Sequence, residues 1–330
     1  MAQTHPIGLL GLGAYLPERV MPNEEWAQYV DTTDEWITTR TGIKRRRIAA
    51  DHQTTADLAA AAARAALDDA GLSPADIDVL IVATDTPEAC WPDTAPYVQH
   101  LLGLREIPSY DLGKSGCAGF VLGLDLARAR VQQHGGRVLL IGVELLTRHM
   151  DWHDRATCVL FGDGAGATVI GADPAAAEIL SAVAGTDGSQ AGILGREAGG
   201  SRAPFSLEQA ERREHLHLVM HGRAVFREAT RRMTQASREA LERAGVPQAE
   251  IALVVPHQAN LRIMQAVADE LELPPEKLYV NVDEYGNTGS ASIPIALWEA
   301  RRGGRIRPGE LVLLTSFGAG FHWAAAVVRF

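Results

Sequence analysis

Hydrophobic positions along the chain follow two spacings. Short apolar runs, such as residues 79–83 and 138–142, have the length and β-branched content of buried strands. Ala-rich stretches with helical character precede them, and turns that contain Gly and Pro separate the two. This alternation of strands and helices predicts an α/β architecture in which helices cover mixed β-sheets.

The pattern is present twice. Residues 66–82 (ALDDAGLSPADIDVLIV) resemble residues 240–255 (ALERAGVPQAEIALVV). The register that places Gly71 on Gly245 also keeps the later apolar strands in step. Because such an agreement over about seventy residues is rarely accidental, it indicates an internal duplication.

We therefore predict two pseudo-symmetric α/β halves, residues 1–176 and 177–330, with central helices between mixed β-sheets. Segment 184–213, rich in Gly, Ser and charge, interrupts the pattern and is predicted to be a long loop over a ligand face. In the shared register Cys117 lies opposite Ala291, and each stands where a turn of small residues opens a helix. A thiol in one copy and a methyl group in the other predict a single active site.

Composition narrows the class of protein. The chain has 330 residues, 46% hydrophobic and 22% charged, which is ordinary for soluble globular proteins. A net charge of −10 argues against a general nucleic-acid binder. The basic run at 40–47 (RTGIKRRR) is either a solvated face or a site for an anionic ligand.

The number of cysteines and the length of the apolar runs indicate in which cellular compartment the protein acts. Cys90, Cys117 and Cys158 are too few and too scattered for a disulfide framework or a zinc module, which favours a reducing compartment. The N-terminus lacks the pattern of a secretory signal, and the apolar runs are far shorter than the roughly 20 residues of a membrane helix. We expect a soluble, cytoplasmic protein with no membrane or nucleic-acid partner.

Three polar residues are candidates for chemistry. Cys117 precedes a helix among small residues, where the helix dipole would lower the thiol pKa, although the local sequence alone favours a small buried structural cysteine. His257 follows an apolar strand, and Asn287 lies in an ordinary-looking turn. Together they suit acyl transfer to a thiolate followed by decarboxylation, because a neutral imidazole and a carboxamide can donate hydrogen bonds to an enolate oxygen.

Other motifs are weaker. Gly113-Lys114-Ser115 imitates the end of a phosphate-binding loop, but Pro108 stands where that loop requires glycine. His215, His217 and His221 have metal-like spacing, and alternation over 215–220 predicts a half-buried strand with surface histidines. No carboxylate or cysteine is placed to complete a tetrahedron, so we predict no metal site.

The chain as a whole resembles the β-ketoacyl-ACP synthase III family of thiolase-fold condensing enzymes. The resemblance covers nearly all residues and rests on motifs in family order. They are TTDEWI and RTGI from Thr32, CAGF from Cys117, FGDGAGA from Phe161, PHQANLR from Pro256, GNT from Gly286 and FGAGFHW from Phe317.

The resemblance implies an acyl-CoA and malonyl-ACP condensation that releases CO2 and CoA and initiates fatty-acid synthesis in a homodimer. It implies no cofactor, since acyl-CoA is a substrate. Cys117 would be the acylated nucleophile, His257 and Asn287 would drive decarboxylation, and the backbone N–H groups of Cys117 and Ala319 would form the oxyanion hole. The residues that match the CoA contacts are Trp36, Arg40, Arg155, Asn260 and Arg262.

Departures from the family pattern concern the acyl pocket. The step from Asp111 to Cys117 carries one extra residue around Lys114. Trp91 stands where the family often has a smaller aromatic residue that reaches the partner's pocket, and the pocket would also include Phe317. A cation there, Lys114 or Arg148, would favour a longer or dicarboxylic starter, for example glutaryl-CoA for a pimeloyl-type biotin precursor, or a secondary-metabolite starter.

An alternative from another class is a non-catalytic scaffold that binds acyl carrier protein. The presence of the cysteine, the histidine and the asparagine argues against this alternative.

Overall fold

The computed structural model describes residues 5–330, and it contains the alternating strands and helices that the sequence predicts. Its strands are β1 (Ile7–Tyr15), β2 (Arg19–Pro22), β3 (Arg45–Ile48), β4 (Val79–Thr84), β5 (Ser109–Gly113), β6 (Val138–Leu145), β7 (Asp163–Ala172), β8 (Ala177–Thr186), β9 (Leu194–Gly195), β10 (Val219–Met220), β11 (Ile251–Pro256), β12 (Leu311–Gly318) and β13 (His322–Arg329).

The helices cover both faces of the strands. They are α1 (Asp34–Thr41), α2 (Thr55–Ala70), α3 (Thr94–Leu102), α4 (Gly119–His134), α5 (Leu207–Glu211), α6 (Gly222–Ala244), α7 (Leu261–Glu270), α8 (Val282–Tyr285) and α9 (Ser292–Arg302). Within the described range, no helix is both long enough and apolar enough to cross a bilayer.

The strand order is mirrored about its middle. The nine main strands of the described chain run β11-β12-β13-β8-β1-β7-β6-β4-β5. From the junction of β1 and β8 outward, each side has two antiparallel pairings followed by a parallel one, and the side of β1 ends with a second parallel pairing, of β4 with β5. The junction itself is only two residue pairs wide. The predicted α/β class is thereby confirmed; the division at residues 176 and 177 stays a prediction.

Helices α4 and α9 form the centre of the molecule. Leu124 and Ala127 of α4 belong to one buried cluster with Ala296 and Leu297 of α9. Strand residues of both halves complete this cluster. The burial of these residues against one another joins the halves into one core.

The duplicated halves differ by one residue at the turns before these central helices. The equivalent 3-10 turns are Gly116–Ala118 and Gly289–Ala291, and each opens with a glycine in the left-handed region (φ 61° and 55°). Superposing the turns places Ser290 opposite Cys117, so the predicted pairing of Cys117 with Ala291 is wrong. The strands on either side keep the predicted register, and the extra residue before Cys117 accounts for the shift.

The close fit of β7 against α9 yields a test. A Cβ atom added at Gly166 would lie 2.7 Å from the Pro294 Cβ and 2.9 Å from the Ile295 backbone nitrogen. Gly166→Ala should therefore lower the free energy of unfolding by about 1–3 kcal/mol in guanidinium titrations. Gly188→Ala, where nothing lies within 4 Å of the added atom, is the matched control. Equal midpoints for the two variants would contradict this packing.

Candidate active site

One cavity of about 1170 Å³ brings together the three polar residues that the sequence singles out. Cys117, His257 and Asn287 all line it, although they are up to 170 residues apart in the chain. His257 follows the carboxyl end of β11, and Cys117 and Asn287 lie in the segments that lead into the central helices α4 and α9. The mirrored topology therefore brings the residues of both halves to one place.

Cys117 lies in the turn that starts α4, against the end of β12. A Cβ on Gly116 would lie 2.5 Å from the Ala319 nitrogen, and a Cβ on Gly318 would lie 2.4 Å from the Cys117 nitrogen. Only glycine fits at either position, because the two backbones touch. The backbone nitrogens of Cys117 and Ala319 are therefore held close together by this contact.

The surroundings of the Cys117 thiol raise its pKa well above the ordinary value. Burial is the largest cause, followed by the negative charges of Asp85 and Glu144, while a hydrogen bond from Asn287 acts in the opposite direction. This is the reverse of the lowering expected from the helix terminus, because desolvation and two carboxyl groups oppose thiolate formation. These surroundings therefore favour the protonated thiol.

Glu144 is a buried carboxyl group at the end of β6. It accepts hydrogen bonds from the backbone N–H of Asp85 (3.1 Å to each carboxyl oxygen) and from the Thr86 hydroxyl (2.9 Å). Burial and the neighbouring Asp85 raise the pKa of Glu144 to about 8.

A proton count agrees with a protonated Glu144. The Ser290 hydroxyl lies 2.8 Å from both the Ala83 carbonyl oxygen and Oε1 of Glu144. A carbonyl oxygen only accepts, so the single hydroxyl proton of Ser290 goes to Ala83. Glu144 then supplies the proton between the two side chains.

His257 is held as a neutral imidazole. Its Nδ1 lies 2.7 Å from Oγ of Ser292, and that oxygen also accepts a long bond (3.4 Å) from the Gln258 N–H. Burial lowers the pKa of His257 to about 3. A Ser292 hydroxyl that donates to Nδ1 leaves the ring proton on Nε2, which has no other partner among the described residues.

Asn287 presents its amide nitrogen to the cavity. Its side-chain oxygen accepts from the Gly289 N–H (2.8 Å), and its backbone bonds to Leu160 and Gly162 on both sides. Because the oxygen is engaged, the NH₂ group is the part available to the thiol and to a bound substrate.

The predicted CoA residues form a cluster at the mouth. The guanidinium groups of Arg40 and Arg155 lie 4.5 and 4.8 Å from the Trp36 ring centroid. Asn260 donates to the Arg40 carbonyl and caps α7, where it accepts from the Arg262 N–H. Of these five residues, Arg40, Asn260 and Arg262 line the cavity itself.

Most of the basic run at 40–47 is not available to a ligand. Lys44 and Arg45 form ion pairs with Asp283 and Glu284 of α8. Arg46 is fully buried and donates to backbone carbonyls and to Asn23. The run therefore connects the two halves through these contacts. Of its residues, only Arg40 lines the cavity.

The predicted acyl-pocket residues divide into two groups. Phe317, Lys114 and Trp91 line the cavity, with Trp91 92% exposed. Arg148 does not line it, because its guanidinium donates to the Ala50 carbonyl (2.6 Å); its assignment to the pocket is wrong.

Sequence reasoning missed four polar groups around the cavity: Asp85, Glu144, His149 and Arg196. Two of them could have been found in the sequence, because an acidic residue directly after the buried strand β4 or within the buried strand β6 is unusual.

The segment 184–213 does border the cavity as predicted, but it contains β9 and α5 and is not a plain loop. His215 and His217 also lie outside a continuous strand, since β10 spans only Val219–Met220.

Comparison with known proteins identifies the family. The family profile "3-Oxoacyl-[acyl-carrier-protein (ACP)] synthase III" matches residues 110–188, and the profile of its C-terminal part matches residues 241–330. The β-ketoacyl-ACP synthase III of Nitratidesulfovibrio vulgaris is 48% identical over 99% of this chain and 100% of its own length. The chain belongs to the 3-oxoacyl-ACP synthase III family.

Solved structures of the family agree. The enzyme from Thermus thermophilus is 47% identical and matches with a TM-score of 0.88 over 98% of this chain and 99% of its own. The enzyme from Aquifex aeolicus is 42% identical, with a TM-score of 0.89 over 98% and 100%. The thiolase fold and the class of acyl-transferring condensing enzyme, both predicted from the sequence, are confirmed.

The charge beside the nucleophile leads to a pH prediction. Asp85→Asn removes a negative charge that opposes the thiolate, so it should lower the thiol pKa and move the rise in Cys117 reactivity to lower pH. The measurement is the rate of iodoacetamide alkylation of Cys117 against pH, followed by mass spectrometry. Asp269→Asn, an exposed carboxyl outside the cavity, should leave the profile unchanged. A rise at the same or higher pH in Asp85→Asn would contradict the role of this charge.

Proposed function

We propose that Cys117 accepts an acyl group from acyl-CoA and that the acyl-enzyme condenses with malonyl-ACP. The products are 3-oxoacyl-ACP, CO2 and CoA, in the step that initiates fatty-acid chains. The observation that carries this proposal is one cavity, in a chain of this family, that is lined by Cys117, His257, Asn287 and Ala319, with the backbones of Cys117 and Ala319 in close contact.

In the acylation step the sulfur of Cys117 attacks the thioester carbonyl carbon. The carbonyl oxygen becomes an oxyanion between the N–H groups of Cys117 and Ala319, which are fixed in advance by the contact of their loops. When the intermediate collapses, the bond to the CoA sulfur breaks, and the thiol proton leaves with CoA.

In the condensation step malonyl-ACP loses CO2 and becomes an enolate. His257 Nε2–H and the Asn287 amide are neutral donors, and they can stabilise the enolate oxygen without acting as strong bases. The enolate carbon then attacks the carbonyl carbon of the acyl-enzyme. The bond from that carbon to the Cys117 sulfur breaks, and the sulfur leaves as a thiolate. No cofactor is assigned, since both steps use side chains and backbone donors.

CoA binding is assigned to the cluster at the mouth. The indole of Trp36 offers a stacking surface for adenine, and Arg40, Arg155 and Arg262 offer guanidinium groups for phosphates. Asn260 positions this cluster, because it joins α1 to α7 through the Arg40 carbonyl.

Two copies of the chain are proposed to form a homodimer through the sheet edge at β5. β5 is the terminal strand of the main sheet, with one side free to pair. Large exposed side chains surround it, namely Trp91 (92% exposed), Tyr97 and Tyr110. Pairing there would cover this apolar surface and bring Trp91 toward the partner.

With its three cysteines free, the protein is proposed to act in the cytoplasm.

Acyl carrier protein, an acidic partner, is proposed to dock on α6. Arg227, Arg231 and Arg238 line a groove on this helix, and Phe226 belongs to both the groove and the cavity. Opposite charges on two partners steer them together and set their orientation. A carrier bound there would lie beside the entrance.

The roles of the catalytic residues are tested by intact-mass spectrometry. His257→Ala and Asn287→Ala should still gain the acyl mass from acyl-CoA, yet fall by about 100-fold or more in malonyl-ACP decarboxylation, because each loses an enolate donor. Cys117→Ala is the control and should gain no mass. Normal condensation by either donor variant would contradict the assignment. If the unchanged chain gains no mass from any thioester, the scaffold alternative is favoured.

Docking on α6 is tested by charge reversal. Arg227→Glu with Arg231→Glu should raise the KM for malonyl-ACP about tenfold or more and leave the rate of Cys117 acylation by acyl-CoA within about twofold. Arg243→Glu, at the far end of α6, is the matched control. Circular dichroism checks the helix, since both mutated arginines pair with Glu228. An unchanged KM for malonyl-ACP would place the carrier elsewhere.

A further inference from the structure

Gln258 lies directly after the histidine of the site, and every hydrogen-bonding group of its side chain is engaged. The residue is 1% exposed. Its amide nitrogen donates to the carbonyl oxygens of Pro256 (2.9 Å) and Tyr279 (3.1 Å). Its amide oxygen accepts from the backbone N–H groups of Asn281 (2.9 Å) and Val282 (3.1 Å). A buried carboxamide with all of these bonds made is held in one orientation.

The Gln258 side chain thereby joins β11 to α8. Strand β11 ends directly before His257, and α8 begins at Val282. Helix α8 is a single turn, closed by a bond from the Gly286 N–H to the Val282 carbonyl (2.9 Å), and Asn287 comes next. The two neutral donors of the site therefore lie at the ends of one short connection, which runs through Gln258 and α8.

Glu299 of α9 holds the same connection at three points. Its Oε2 atom accepts from the Tyr279 hydroxyl (3.1 Å) and from the Asn281 side-chain amide (2.7 Å). Its Oε1 atom accepts from the Tyr285 hydroxyl (2.8 Å). Two of these partners precede α8, and the third, Tyr285, is the last residue of α8. One carboxylate therefore joins both ends of α8 to a central helix.

The histidine ring is joined to the same central helix. The Ser292 Oγ atom lies 2.7 Å from Nδ1 of His257 and accepts a long bond (3.4 Å) from the Gln258 backbone N–H. Ser292 is the first residue of α9, and Glu299 follows two turns later. Helix α9 thus positions the histidine ring at its first residue and the segment before Asn287 two turns further on.

The nucleophile has a different support. The turn that carries the thiol touches the end of β12 through the backbone, at Gly116 and Gly318. The side-chain hydrogen bonds of Gln258 and Glu299 instead connect to residues within 256–285. Acylation of the thiol depends on the first set of contacts. Decarboxylation needs both neutral donors, so it depends on the second set.

We propose that Gln258 and Glu299 are positioning residues for the decarboxylating half of the reaction. Together they fix the spacing between His257 and Asn287, so that both donors reach one enolate oxygen. This inference rests on the proposed function, since it takes these two side chains to stabilise the enolate. Donors fixed in advance need not reorganise as charge develops, and a misplacement of about 1 Å can cost about 100-fold in rate.

The test measures two partial reactions of the whole chain separately. Acylation of Cys117 by acetyl-CoA is followed by intact mass, and decarboxylation of malonyl-ACP by the release of CO2. Gln258→Met keeps the length of the side chain and removes its hydrogen bonds, so it should lower kcat for decarboxylation roughly 10- to 100-fold. The acylation rate and the KM for malonyl-ACP should stay within about threefold, because neither depends on the spacing of the two donors.

Tyr285→Phe tests the same connection at its other end by removing one hydroxyl group. Its kcat for decarboxylation should fall roughly 3- to 10-fold, because the other two bonds of Glu299 remain. When it is combined with Gln258→Met, the loss should be smaller than the product of the two single losses, since both act on one connection. This milder variant decides the question if Gln258→Met folds poorly.

Two control variants separate positioning from general damage. In Gly11→Ala the added Cβ would lie 2.5 Å from the Ala66 carbonyl oxygen, so this variant destabilises the packing of β1 on α2. It should leave the ratio of the two partial rates unchanged. Gln133 is exposed on α4, and Gln133→Ala should change neither rate.

The outcomes separate this inference from the proposed function. Normal decarboxylation by Gln258→Met and Tyr285→Phe overturns the positioning role, and so does a loss of both partial reactions in the same proportion. Normal decarboxylation by His257→Ala or Asn287→Ala overturns the assignment of the donors and this inference with it. Failure of the unchanged chain to accept any acyl group instead overturns the proposed function.

Discussion

The active site depends on the contact between two backbone turns, one from each half of the molecule. The turn at Gly116 and the strand end at Gly318 approach so closely that a Cβ on either would lie 2.4–2.5 Å from a backbone nitrogen of the other. This contact places the thiol of Cys117 and the N–H of Ala319 in one site although β12 belongs to the second half. Each half alone would hold only part of the catalytic group, which is why the central helices α4 and α9 must pack as one core.

Buried charge sets the chemistry of this contact. A carboxyl group below the nucleophile would ordinarily destabilise both the fold and the thiolate. Glu144 avoids this by keeping a proton and joining the loop after β4 to the turn before α9 through Thr86 and Ser290. Burial, and after it the carboxyl groups of Asp85 and Glu144, raise the pKa of the Cys117 thiol. The site thus holds a nucleophile that is less prone to adventitious reaction before substrate arrives.

Local sequence patterns are sufficient to predict much of the fold and to suggest the catalytic residues. Strand and helix spacing predict the α/β class, whereas Cys117, His257 and Asn287 become convincing only when they are taken together and with the family resemblance. The destinations of long side chains could not be predicted in the same way. Arg148 and the run at 40–47 look available in sequence, but their partners come from distant segments, so only the fold shows that their donors are engaged. Arg196 enters the cavity for the same reason, from a segment whose sequence shows only irregularity.

The duplication explains why the molecule has one nucleophile and not two. The counterpart of Cys117 is Ser290, in an equivalent turn with an equivalent left-handed glycine. Cys117 is partly open to the cavity, whereas Ser290 is 1% exposed and bonded to Ala83 and Glu144. A hydroxyl in that position is useful as a support because it can donate to the Ala83 carbonyl and accept from Glu144 at the same time, which a thiol does poorly. The turn at Gly289–Ala291 therefore supports the site from beneath, and the turn at Gly116–Ala118 carries the nucleophile.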